Sequence, residues 1–140
     1  MKEELNEKRF FNSTLLNLYP ILNWITERIS KYFSQSDIEK IQLAAEEAVV
    51  NIIKHGYKKK KGKIELELFV NECLTLIIRD KGPKFNPLSK RQHRRALIYS
   101  RKKPGGLGIF LIFQCVDEVQ YVREKSTNVL ILKKKRHANY

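Results

Sequence analysis

No apolar run in this 140-residue sequence approaches the roughly 20 residues that a membrane-spanning helix needs. The opening stretch Met1-Lys2-Glu3-Glu4-Leu5-Asn6-Glu7-Lys8-Arg9 is too polar for a secretory signal. These two absences predict a cytoplasmic protein with no membrane partner. Cysteine is scarce as well. Cys73 and Cys115 lie in apolar patterns without metal-ligand spacing, which predicts buried free thiols in a reducing compartment. Internal repeats are absent, and the length suits a single domain, residues 1–140, with a core of two layers.

Acidic residues are the remaining shortage: 15 Asp and Glu stand against 28 Lys and Arg, a net charge of +13. Such an excess invites a nucleic-acid reading, because cationic side chains neutralise phosphates. The cations, however, gather at 58–63, 84–103 and 133–136. The lysine runs lack the interleaved aromatic residues that give a single-strand binder its stacking platforms. Runs of this kind in loops and tails read as solvated faces, so nucleic acid is not the expected partner.

What the chain does contain is clear hydrophobic periodicity. Residues 8–11 read as a short edge strand. Ser13 or Thr14 can cap a helix reaching about Tyr32, carried by Leu15, Leu18, Leu22, Ile25 and Ile29 at helical spacing. Pro20 should kink that helix or mark its true start. Trp24 and Phe33 are expected in the core. Ser36 and Glu39 make a capping box for a second helix, which runs to Gly56 as its C-terminal stop. Its Ile41, Ala45, Ala48, Val49 and Ile52 share a face that should pack on a sheet. Glu47 and Asn51 lie one turn apart on a neighbouring polar strip, which Lys54 and His55 continue. Taken alone, that strip reads as helix surface.

Beyond a lysine-rich loop, Ile64, Leu66, Leu68 and Val70 alternate with Glu65 and Glu67 as in a half-buried strand. Asn71-Glu72 then turns into a second strand, Cys73 to Arg79, forming a hairpin. Asp80-Lys81-Gly82-Pro83 ends regular structure, and the basic stretch that follows reads as a lid, about residues 81–104. Pro104-Gly105-Gly106-Leu107-Gly108 opens an apolar helix, Ile109 to Val116. A glycine-rich turn entering a helix offers free N–H groups and a positive dipole end to phosphate. Strands 118–123 and 128–134, turning at Lys125-Ser126, close the chain.

Each polar element is weak by itself. Asp-x-Gly is common in turns, and Gly-Gly-Leu-Gly is more often a tight turn than a nucleotide loop. Order and spacing make them specific together. Glu47-Ala-Val-Val-Asn51-Ile-Ile-Lys-His55-Gly-Tyr57, Asp80-Lys-Gly82-Pro-Lys-Phe85-Asn-Pro87 and Gly105-Gly106-Leu107-Gly108-Ile-Phe-Leu111 resemble the GHKL ATPase superfamily, whose Bergerat fold histidine kinases, gyrase and MutL share. Within it the match is to the anti-sigma factor serine-protein kinases. A histidine kinase would need a phosphoacceptor helix pair upstream, for which these residues leave no room.

The resemblance implies an α/β two-layer sandwich: a mixed, mainly antiparallel sheet with helices on one face and ATP between helices and lid. It implies Glu47 as general base, Asn51 as the Mg²⁺ ligand, and Asp80 as acceptor for the adenine amino group. Gly82 would let backbone approach the base, beside Phe85. Gly105, Gly106, Leu107 and Gly108 would lie along the phosphates, and Thr127 near the nucleotide. His55 and Lys54 read either as phosphate ligands or as cations complementing the helix end. Lys84 and Asn86 depart from the family's usual glycine and aspartate at the lid hinge.

The implied function is an anti-sigma factor and ATP-dependent protein-serine kinase, using ATP and Mg²⁺. It would sequester a sigma factor, phosphorylate an antagonist of STAS type, and act as a homodimer. A catalytically silent ATP-binding or sequestering module, and a basic nucleic-acid binder, are the alternatives. Retention of both Glu47 and Asn51 argues against the first, and a flat salt dependence of binding would exclude the second.

Overall fold

A computed structural model of the chain describes residues 5–56, 62–89 and 108–136. Strands β1 (Leu5–Asn12), β2 (Lys63–Val70), β3 (Cys73–Asp80), β4 (Glu118–Glu124) and β5 (Thr127–Lys135) form one sheet in the order β1-β2-β3-β5-β4. Helices α1 (Leu18–Ile29), α2 (Gln35–Asn51) and α3 (Gly108–Cys115) pack against it in an α/β arrangement. Where a mixed sheet was expected, every strand pair among the described residues is antiparallel. The path explains this. Two helices between β1 and β2 return the chain to the end where β1 finished, so Asn12 faces Lys63 and Ser13 N–H donates to the Gly62 carbonyl at 2.8 Å.

The period-two pattern places Ile64, Leu66, Leu68 and Val70 of β2 beside Leu74, Leu76 and Ile78 of β3 in the core. Ile21, Ile25, Ile41, Ala45, Val49 and Ile112 close that core from the helices. No described helix covers the opposite face of the sheet. There Arg79 bridges Glu67 at 2.8 Å and Glu65 at 3.7 Å, and Lys8 meets Glu65 at 3.2 Å. Solvent-screened pairs of this sort contribute about 0.2–1 kcal/mol each. The Asn71-Glu72 turn forms as read, with Cys73 N–H bonded to Asn71 Oδ1 at 3.1 Å.

Several local expectations change. Ser34, not Ser36, caps α2: its backbone is extended and its Oγ accepts the Asp37 N–H at 3.2 Å. Ser36 therefore lies inside the first turn. The first helix begins as a 3₁₀ turn, Leu15–Asn17, and becomes α-helical at Leu18. Pro20 thus sits in the first turn, where its missing N–H removes no intrahelical bond, and it marks a start rather than a kink. Leu15 lies outside the buried stripe, which runs Leu18, Ile21, Trp24, Ile25 and Ile29. Thr14, at the turn's N-cap, makes no side-chain capping bond. Trp24 is in the core as expected, edge-on to Phe11 at 6.4 Å. Cys115 is a buried free thiol, but Cys73 is only half-buried, because strand alternation turns it to the uncovered face. None of the described helices is long and apolar enough to cross a membrane.

Candidate active site

Helix α2 stops being α-helical at Asn51 and continues as a π turn, Ile52–Gly56. The Ile52 N–H is shared between the carbonyls of Ala48 and Val49. Such single π turns recur at functional sites, and this one occupies the end of the strip that holds Glu47 and Asn51. Facing it are the inward residues at the adjoining ends of β3 and β5. Their register pairs Ile78 with Leu130 and Asp80 with Asn128, so all four point to the helical side of the sheet.

These elements close around one small cavity. It is lined by Asn51 and Ile52, Ile78 and Asp80, Phe85 and Pro87, and Tyr121, Asn128 and Leu130, with Ala48 completing the helical wall. The volume is about 20 Å³, room for about one water. Apolar walls with a few convergent polar groups are what a flat heterocycle requires. A base can enter only if Phe85 and Pro87, which follow β3 without regular structure, move outward.

Asp80 is the chemical centre of the cavity. Its Oδ1 accepts the Gly82 N–H at 3.0 Å and the Asn128 Nδ2–H at 3.1 Å. Oδ2 has no hydrogen-bond partner among the described residues. Burial pushes the carboxyl above its ordinary range, opposed by the Asn128 and Gly82 bonds and by the Arg123 charge. A carboxylate oxygen left open on a cavity wall can accept a donor from a ligand. It fits the exocyclic amino group of adenine, which would supply the missing donor. Gly82 is held on both sides, because its carbonyl accepts from Arg123 Nη1 at 2.9 Å.

Glu47 stands one turn before Asn51 and does not line the base cavity. Burial, then the neighbouring Glu46, raise its pKa, while Lys54 pulls it down. A half-buried carboxylate moved toward neutrality is better matched to proton abstraction near pH 7. No cluster of three or more His, Cys, Asp or Glu occurs among the described residues. Mg²⁺ takes few protein ligands alongside phosphates and water, so the Asn51 amide oxygen suits a site of that kind.

The structure brings Asn51, Asp80 and Phe85 together, with Gly82 bonded directly to Asp80. Thr127 does not join them. Strand alternation sends it into a larger opening of about 1060 Å³ at the end of the sheet, beside Phe10, Lys63 and Arg79, while its neighbour Asn128 faces Asp80. Gly108 is the first residue of α3. Gly105, Gly106, Leu107 and the lid from 90 to 104 lie outside the described residues, as does the side chain of His55. At the hinge, Asn86 Oδ1 accepts the Leu88 N–H at 2.9 Å, a turn that an aspartate there could make equally well. Asn128, Tyr121 and Arg123 were missed from sequence. The β3–β5 register, a pairing that is not local, sets Asn128 against Asp80, and the β4–β5 register brings Tyr121 and Arg123 beside Leu130 and Asn128.

The fold and this cavity define a class. Residues 11–134 match the family model of the histidine kinase-like ATPase domain, and the chain belongs to that family. Among curated relatives, serine-protein kinase RsbW of Staphylococcus epidermidis is 33% identical over 108 residues, covering 71% of this chain and 67% of the relative. Serine-protein kinase RsbW of Bacillus cereus is 31% identical over 108 residues, covering 72% and 66%. Among solved structures, the histidine kinase domain of the blue-light activated histidine kinase of Erythrobacter litoralis superposes with a TM-score of 0.57 at 15% identity. That match takes in 86% of this chain and 60% of the other, and the likeness is one of fold.

Proposed function

We propose that this protein is an ATP-dependent protein-serine kinase that also acts as an anti-sigma factor in the cytoplasm. The observation that carries the nucleotide reading is the open Oδ2 of buried Asp80 in a cavity it shares with Asn51. The relatives named as serine-protein kinases support the reaction class.

Each group of this chain has a distinct task. Asp80 accepts the adenine amino hydrogen and disfavours guanine, whose carbonyl at that position would face the carboxylate. Ile78, Leu130 and Ile52 exclude water from the base. Asn51 holds Mg²⁺ through its amide oxygen, and Glu47 takes the proton of the incoming serine hydroxyl at its carboxylate. Bound Mg²⁺-ATP would supply the phosphoryl group and the charge neutralisation that transfer needs. The acceptor is a serine on a STAS-type antagonist, where phosphate adds about −1.5 to −2 charges and changes which partner binds. Sequestration of a sigma factor by a homodimer completes the reading.

The deciding test is calorimetric binding of ATP and GTP, with and without Mg²⁺, to wild type, Asp80→Asn and Asn51→Ala. Adenine-selective binding that Asp80→Asn loses, with Mg²⁺ dependence that Asn51→Ala loses, supports the site. Equal binding of ATP and GTP by wild type would remove it.

A further inference from the structure

The side chain of Asn128 makes four hydrogen bonds, the full capacity of a carboxamide with two N–H donors and two carbonyl lone pairs. Nδ2 donates to Asp80 Oδ1 at 3.1 Å and to the Pro83 carbonyl at 2.9 Å. Oδ1 accepts from the Phe85 N–H at 3.3 Å and from the Tyr121 hydroxyl. The residue is buried, so each bond would otherwise leave an unsatisfied polar group. Its partners come from three places: the base acceptor on β3, the first residues of the lid segment, and β4.

We infer that Asn128 is a positioning residue that couples base selection to the root of the lid. Together with the Gly82 N–H, it occupies Asp80 Oδ1 and leaves Oδ2 as the open acceptor. With the same amide it holds Pro83 and Phe85. Phe85 lines the cavity that is too small for a base, so admitting a base displaces Phe85 and strains or breaks its bond to Asn128. Arg123 anchors the adjoining Gly82 carbonyl independently, which makes residues 83–85 the part that gives way. No other common side chain of similar size meets the requirement. Aspartate has no donor and sets a second negative charge beside Asp80; threonine has one donor; leucine has none.

The selectivity half of this inference rests on the adenine-site reading, and the latch half does not. The test uses the full chain as wild type, Asn128→Ala, and Asn128→Ser in case the alanine variant fails to fold. ADP and IDP are titrated against each, since they differ at the amino group that Asp80 would accept. Amide hydrogen exchange at Phe85 is followed in the absence of nucleotide, relative to Ile77 within the sheet. Losing one buried hydrogen bond should reduce the ADP-over-IDP preference about tenfold and speed Phe85 exchange about tenfold. Equal weakening of ADP and IDP would overturn the selectivity half, because a merely structural residue moves both together. Phe85 exchange at the wild-type rate would overturn the latch. Failure of wild type to bind ADP would sink the adenine site and the selectivity half with it, and the exchange result would then decide the latch alone.

Discussion

Two buried aspartates sit at opposite ends of the same helix–sheet interface, each against an inward residue of β5. Asp37, in the first turn of α2, meets Lys134 at 3.7 Å, and both side chains are nearly excluded from solvent. Asp80, at the end of β3, meets Asn128. The partners stand six residues apart on one strand face, so the backbone treats them alike. Their chemistry differs. Asp37 has a cation beside it and lies at the positive end of a helix, where negative charge is stabilised. Among the described residues, Asp80 is hydrogen-bonded only by neutral donors, feels the Arg123 charge without an ion pair to it, and keeps one oxygen open. A carboxylate with its charge matched inside the fold serves the fold. One whose partners leave it unmatched is poised for something from outside.

The largest expected effect breaks the matched pair. Lys134→Ala leaves the Asp37 charge buried, and removal of one partner from such a pair costs about 3–5 kcal/mol. Urea unfolding of Lys134→Ala should register that loss. Replacing both partners, as Asp37→Leu with Lys134→Met, should recover most of it. If the single variant unfolds like wild type, Lys134 is not needed by the fold and the contrast with Asp80 disappears.

A third acid sharpens the comparison. Glu47 is only half-buried, and its raised pKa comes from burial and Glu46 rather than from a hydrogen-bond network. Under the proposed function, Glu47→Gln should retain ATP binding while phosphotransfer to a serine on the proposed antagonist falls by about 100-fold or more. The acid limb of the wild-type rate should lie above the ordinary glutamate value of 4.5 and should vanish in the variant. Transfer at the wild-type rate would assign the base elsewhere.

Asp80→Asn should separate binding from stability. A carboxyl raised by burial favours the folded state when protonated. Its contribution is therefore fully present below the unfolded pKa and is lost as pH rises through the folded one. Asparagine stays neutral, so at pH 7 the variant should melt higher than wild type, and under the proposed function it should lose the preference for adenine. The gain should fade on acidification and be absent below the ordinary aspartate value of 3.8. Matching melting curves for the two proteins at both pH values would show that Asp80 carries no buried-charge cost.

Much of this contrast was legible in the chain, but unevenly. The alternation of Ile64 to Val70 and of Leu74 to Ile78 announced the sheet, since period two has no other reading there. Spacing puts Glu47 and Asn51 on one strip, because a helix places i and i+4 together, but their proposed roles come from the family resemblance and not from that spacing. The sequence points to Thr127 near the nucleotide, whereas its neighbour Asn128 is the residue that meets Asp80. Moving one position along a strand reverses the face, and only pairing with Asp80 fixes which residue points inward. Lys134 was hidden for a similar reason. It reads as one of several consecutive cations, and nothing local tells that it reaches Asp37. Ser34 and Ser36 both precede an apolar run, so the cap depended on backbone geometry that sequence does not carry.

The smallest expected effect tests whether the β4–β5 turn belongs to the site or only supports it. Lys125 is the one non-glycine residue with positive φ among the described residues, at 52°. A Cβ in that region costs about 1 kcal/mol. The Lys125 carbonyl accepts from Arg123 Nε at 3.2 Å, while Arg123 Nη1 holds the Gly82 carbonyl. Both contacts to the turn and hinge use backbone acceptors, so glycine at 125 keeps them. Lys125→Gly should therefore add up to about 1 kcal/mol of stability in urea unfolding and leave the ADP-over-IDP ratio unchanged. A shift in that ratio would show that strain at Lys125 reaches Asp80 through Arg123 and Gly82. The turn would then count as part of the binding apparatus rather than its support.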